Sequence, residues 1–184
     1  MTDGVTAELL TKVSDIPADQ WDALNPRGNP FVGHAFLAAL EESGSVGAGT
    51  GWSPAPIMIR DAHGIPAAAL PAYLKTHSQG EYVFDHHWAD AFERAGGQYY
   101  PKLQIAAPFS PVPGPRLLLR DAVLAPAILA AAEAVVDQNG LSSAHATFVE
   151  EAELDLFRAA GWLTRIGTQF HWQNRDYADF DGFL

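Results

Sequence analysis

The 184-residue sequence contains no cysteine, which excludes a disulfide framework, thiolate-bound zinc or iron–sulfur centres, and a cysteine nucleophile. Basic residues are scarce: 11 Lys and Arg stand against 22 Asp and Glu, a formal charge of −11 and a pI near 4.8. A chain of this sign repels phosphate backbones, so no extended nucleic-acid site is expected. No run approaches the ~20 apolar residues of a membrane-spanning helix. The start, MTDGVTAELL, lacks the basic and apolar regions of a secretory signal. No membrane span is expected, and the cytoplasm is the expected compartment. Internal repeats and long low-complexity linkers are missing too. Core material is plentiful, with 48% hydrophobic and 11% aromatic residues, enough for one globular domain.

The few cations are unevenly spread. The stretch 94–120 carries Arg94, Lys102, Arg116 and Arg120 with no acid, whereas 121–184 carries ten acids and three Arg. A basic island in an acidic protein can receive a compact anion, so a small anionic substrate is the expected partner. The alternative is four cations scattered to solvent.

Hydrophobic periodicity and breakers predict an α/β chain with an antiparallel front half. AELLTKVSDI reads as an opening strand and IPADQWDAL as a helix entered at Pro17. A helix follows over His34–Glu42, and then a loop over 43–56, rich in Gly and Ser. Strands are expected at Ile57–Arg60, Ile65–His77 and Glu81–Asp85, joined by turns at 61–64 and 78–80 into a meander. HHWADAFERAGG has a helical pattern stopped by Gly96 and Gly97. LQIAA and RLLLR flank the proline-rich PFSPVPGPR, where Pro cannot donate to a ladder. The last third alternates helix 122–139, strand 143–149, helix 150–160 and a long strand 162–174. That alternation implies a mixed sheet with helices packed on both faces.

Three constellations carry candidate chemistry. Asp85-His86-His87 leaves a strand and opens a helix, so Asp85 and His86 are candidate catalytic groups at a sheet edge. Asp85 is also placed to cap that helix. Tyr99-Tyr100-Pro101-Lys102 offers two phenols and an ammonium, able to orient a carboxylate or phosphate, with Tyr100 a candidate proton relay. Packing of the rings on the sheet is the plainer reading. Arg116, fixed by PVPGPR, has the fork geometry for a bidentate anion grip. Tyr99, Tyr100, Lys102 and Arg116 are therefore the candidate substrate-binding residues. The remaining histidines show no H-x-H or H-E-x-x-H spacing, and no metal site is expected.

Taken together, NPFVGHAFLAALEESGSV, FDHHWADAFERAGGQYYPKLQIAAPFSPVPGPRLL, and FRAAGWLTRIGTQFHWQN with YADFDGFL after it resemble the FemAB-like proteins, within the GNAT-type N-acyltransferase superfamily. The resemblance implies a GNAT-like α/β fold and transfer of an acyl or aminoacyl group to an amine of a cell-envelope precursor. It also implies two such domains with substrate between them. Residues 1–174 are then an N-terminal GNAT-like domain, and 175–184 begin the connection to a C-terminal one. A homodimer through the surface that domain would cover is a further expectation. GNAT enzymes cradle acyl-CoA pyrophosphate on a glycine-rich turn at a helix N-terminus, and none is legible here. No tightly bound cofactor is expected, with acyl-CoA or an aminoacyl group as the donor. A non-catalytic recognition module for an anionic substrate is the alternative. The Asp-His-His run also resembles the DHH phosphoesterases, a lesser alternative whose other Asp-rich metal motifs are missing.

Overall fold

A computed structural model describes residues 5–83 and 85–184. At its centre is a long β-hairpin. One arm holds β2 (Trp52–Pro54) and β3 (Ile57–Arg60), and the other holds β4 (Pro66–Leu70) and β5 (Ala72–Lys75). Pairing runs from Trp52 opposite Lys75 to Arg60 opposite Pro66. The Asp61 carboxylate fixes the turn by accepting the amides of His63 and Ile65. β1 (Thr6–Leu9) and β7 (Leu118–Leu119) complete one antiparallel sheet, in the order β1-β3-β4-β7. β6 (Lys102–Ile105) and β8 (Ala144–Ala146) complete the other, in the order β2-β5-β6-β8, with β6 and β8 parallel.

The stretch 65–77, expected as one strand, changes sheets at Pro71, which has no N–H to continue the ladder. β2 lies inside the expected loop 43–56; Trp52 draws it into the sheet by stacking edge-on against Tyr73, with ring centroids 5.4 Å apart. Of the strand expected at 81–85, residues 81–83 and 85 join no sheet, and Phe84 lies outside the described residues. The strand expected at 162–174 also pairs with no strand among the described residues, and after the half-buried Trp162 the chain there runs exposed.

Helices cover both faces. α4 (Ala125–Gln138) lies across Ile57, Ile59, Leu70, Leu103 and Ile105, and its buried Ala125 and Ala132 permit close approach. α5 (Glu151–Ala159) joins it through Phe157. On the opposite face, α1 (Ala18–Asp22) and α2 (His34–Glu42) enclose Trp21, Leu24 and Leu37 against Met58, Ala69 and Leu118. Trp21 is fully buried, and its indole N–H donates to the Val32 carbonyl at 2.8 Å. α3 (His86–Arg94) lies between β5 and β6 in the chain, and α6 (Phe180–Phe183) comes last.

Candidate functional site

The second sheet sorts its side chains by parity. Ala72, Leu103 and Ile105 turn to the α4 core, with Leu74, Ala144 and Ala146 packed against it. Their alternates, Tyr73, Lys75, Lys102, Gln104 and His145, share the other face. The register confirms this, because Lys75 lies opposite Lys102, Tyr73 opposite Gln104, and Gln104 opposite His145. A sheet face of this polarity is closed by the segment between β5 and β6, which supplies Ser78, Glu81, Asp85, Tyr99 and Tyr100.

The centre of the face is Lys102, which is 0% exposed. Its three ammonium protons go to Ser78 Oγ at 3.0 Å, Glu81 Oε2 at 2.8 Å and Asp85 Oδ2 at 2.7 Å. Tyr99 also donates to Asp85 Oδ2, at 2.8 Å, and Tyr100 OH pairs with Ser78 Oγ at 2.7 Å. Lys75, equally enclosed, donates to the Gln79 carbonyl and lies 4.0 Å from Glu81 Oε1 and 3.7 Å above the Trp52 ring. Burial pushes the Asp85 carboxyl up, but hydrogen bonds from Lys102, Ser78 and Tyr99 hold it at about 2. Burial raises Glu81 against the pull of Lys102. Burial lowers Lys75 to about 8, opposed by Glu81. Burial and the charge of Lys102 lower His145 to about 4, so its imidazole is neutral at pH 7. His145 Nε2 lies 2.8 Å from Ser143 Oγ. Among the described residues, four buried side-chain polar atoms have no hydrogen-bond partner: Glu81 Oε1, Asp85 Oδ1, Gln104 Oε1 and the Tyr73 hydroxyl.

The structure therefore brings Asp85, Tyr99, Tyr100 and Lys102 together and leaves other candidates apart. Asp85 occupies the N-cap position of α3, but its side chain makes no cap hydrogen bond and faces the lysines instead. His86 and His87 open α3 exposed, away from the buried cluster. Arg116 is buried elsewhere, and its guanidinium donates to the carbonyls of Thr147, Pro115 and Val112. Burial lowers Arg116 to about 10. Its fork thus shapes the proline-rich loop. The basic island is internally matched as well, since Lys102 meets two carboxylates and Arg120 meets Asp61 at 2.7 Å.

Sequence reasoning missed Lys75, Ser78, Glu81, Gln104 and His145. Their signal was parity: Lys75, Lys102, Gln104 and His145 are polar positions alternating with apolar ones in β5, β6 and β8. Glu153 was missed too. From the first turn of α5 its buried carboxylate accepts the amides of Arg116 and Leu117 at 2.9–3.1 Å.

Residues 12–184 match the FemAB-like family, described as peptidoglycan biosynthesis/recognition, and the chain belongs to that family. Among curated proteins none matches the sequence. Of solved structures, the fold is similar to that of AAC(6')-Iy, determined with a CoA-containing bisubstrate analogue. The TM-score is 0.53 at 14% identity, covering 92% of this chain and 98% of that one. It is also similar to the aminoglycoside 6'-N-acetyltransferase AAC(6')-Ih of Acinetobacter baumannii, with TM-score 0.52 at 14% identity, covering 93% and 99%. The fold is that of the GNAT acetyltransferases.

The N-terminus of α4 is poorly suited to a CoA pyrophosphate. The turn before α4 is a 3-10 helix, Ala122–Leu124, whose Val123 amide is taken by the Asp121 carboxylate at 2.9 Å. The stretch 115–139 contains no glycine, and Pro126 has no N–H to offer. A carboxylate already stands where phosphate would be drawn.

Proposed function

We propose that this chain is an N-acyltransferase domain of the FemAB kind, which places an acyl or aminoacyl group on an amine of a cell-envelope precursor. One observation carries the reading. The polar face carries buried acceptor atoms, Asp85 Oδ1, Glu81 Oε1 and Gln104 Oε1, that have no hydrogen-bond partner among the described residues, Glu81 Oε1 facing only the Lys75 ammonium at 4.0 Å, while its central ammonium has spent every proton on the protein. Such a face suits a donor-rich group, an amine above all. In the transfer, the amine nitrogen bonds to the acyl carbon, the bond to the leaving group breaks, and one amine proton must depart. We assign the acceptance of that proton to His145, neutral at pH 7 and half-buried. Asp85, held at about 2, keeps its charge throughout. Tyr99 and Lys102 orient Asp85, and Tyr100 holds Ser78, so alignment supplies much of the rate. The poor fit at α4 points to an aminoacyl donor carried on something other than CoA.

The test is mass spectrometry of a UDP-linked, amine-bearing peptidoglycan precursor incubated with this chain and an aminoacyl donor. Appearance of the amide is expected, with His145→Ala slowing it by about 10²-fold or more, the usual range for a general base. An unmodified precursor contradicts transfer.

The Asp121 carboxylate on the turn before α4 favours a second reading, a module that binds the precursor without turning it over. Saturable binding with no amide product identifies it.

A further inference from the structure

Two serines enter β8 just ahead of His145, and both are tied to the protein by their backbones and their hydroxyls. The Ser142 amide donates to the Pro101 carbonyl, and the Ser143 carbonyl accepts the Leu103 amide, each at 2.9 Å. Ser142, Ser143 and His145 are all half-buried. The Tyr99 ring stands edge-on to the His145 imidazole with centroids 6.1 Å apart, which fixes the plane of the ring. What remains to be fixed is which ring nitrogen carries the proton.

A chain of three polar contacts answers this from its far end. The Ser142 hydroxyl meets the Tyr99 carbonyl, and a carbonyl has no proton to give, so Ser142 is the donor there. A hydroxyl has one proton. With that proton spent, Ser142 Oγ can only accept from Ser143 Oγ, 3.2 Å away. The Ser143 proton is then spent as well, so its contact with His145 Nε2 at 2.8 Å is made only if Nε2 carries a hydrogen and donates it. All three bonds form in this direction. With Nε2 bare and Ser143 donating to it, the contact between the two serines loses its proton. That arrangement also sets an N–H on Nδ1, although the Ser143 bond is the ring's one hydrogen bond among the described residues. An N–H without an acceptor is costlier than an idle lone pair.

We infer that Ser142 and Ser143 are positioning residues that hold His145 as its Nε2–H tautomer, so that Nδ1 is the atom that accepts the proton leaving the substrate amine. Taking a proton at Nδ1 leaves the Nε2–H bond to Ser143 in place, and no hydroxyl has to turn as the imidazolium forms. In the opposite arrangement the Ser143 proton occupies the lone pair of Nε2, and the ring has no base to offer. That Nδ1 serves an amine rests on the acyl-transfer reading; the tautomer and the chain that holds it do not.

The full chain labelled with nitrogen-15 histidine has seven imidazoles, and the signals lost in His145→Gln assign the one that matters. Two-bond proton–nitrogen correlation near pH 7, where this ring is neutral, distinguishes the tautomers without substrate. His145 should show a protonated Nε2 and a bare Nδ1; a protonated Nδ1 as the main form overturns the inference. Ser142→Ala removes the anchor and frees the Ser143 proton for Nε2, so the Nδ1–H form should grow, and Ser142→Thr, which keeps the hydroxyl, should restore the wild-type spectrum. An unchanged tautomer in Ser142→Ala would show that the serines do not set it. In the transfer assay, Ser142→Ala should lower kcat by about tenfold or more with KM unchanged, the mark of a misplaced proton. The spectra and the assay fail separately. The Nε2–H form in a protein that makes no amide leaves the chain of bonds in place and removes transfer. Amide formation by a protein whose His145 carries its proton on Nδ1 does the reverse.

Discussion

Lys75 and Lys102 stand directly opposite each other on β5 and β6, both fully enclosed. Two like charges in such a position destabilise a sheet unless something compensates. Here the loop after β5 folds back to bring Glu81 and Asp85 over them, at 2.8 Å and 2.7 Å from Lys102. The pair explains why Ser78, Glu81 and Asp85, from the crossing between the two strands, lie against this face, and it makes Lys102 the keystone of the cluster.

Lys102→Met should therefore cost about 3–5 kcal/mol, because it strands two buried carboxylates. Urea unfolding reads this directly. A loss under about 1 kcal/mol would mean that the carboxylates find water or protons easily.

Acid should weaken the fold in two stages. His145 has a folded pKa of about 4, below its ordinary 6.5, so the unfolded chain takes up its proton first and stability falls from about pH 6.5 to 4. Asp85, at about 2 against 3.8, adds a second loss from about pH 4 to 2. NMR titration should show the His145 ring neutral down to near pH 4, and His145→Phe should flatten the first stage.

The alkaline side runs the other way for Lys75. Its folded pKa of about 8 lies below 10.5, so the folded protein releases that proton first. The contribution of Lys75 should grow from about pH 8 to 10.5. Comparing unfolding curves of the wild type and Lys75→Met at about pH 8 and about pH 10 isolates it; identical pH slopes would contradict the shift.

Glu153→Gln should loosen the proline-rich loop. Oε1 accepts from both Arg116 and Leu117, and Oε2 takes the shorter bond from Arg116, at 2.9 Å; a carboxamide sets an NH2 group where one of these oxygens stands, facing the Arg116 N–H, at a cost of about 1–3 kcal/mol. Faster hydrogen exchange at Arg116 and Leu117 checks it.

Much of this was legible in the residues, and the failures share a cause. Helices with strong period and clear stops, such as His34–Glu42, fall where the pattern puts them. Pro71 broke a strand whose apolar content reads as continuous, because a sheet change leaves no mark on hydrophobicity. Tyr99, Tyr100 and Lys102 were singled out as groups open to an anionic solute, whereas the structure encloses Lys102 among protein partners. Their engagement with Asp85, Glu81 and Ser78 depends on a fold-back across strands, which no local spacing encodes. Arg116 shows the same limit, since its carbonyl partner on Thr147 comes from 31 residues away.

Everything functional proposed for this chain depends on the polar face being where the precursor's amine binds. Calorimetric titration of the 184-residue chain with a UDP-linked, amine-bearing peptidoglycan precursor tests this most directly, run beside acetyl-CoA and beside the same precursor with its amine acetylated. Amine binding at this face predicts saturable binding of the free amine, loss of about tenfold or more in affinity on acetylation, and no binding of acetyl-CoA. Equal affinity for both precursor forms, or saturable acetyl-CoA binding alone, would contradict it.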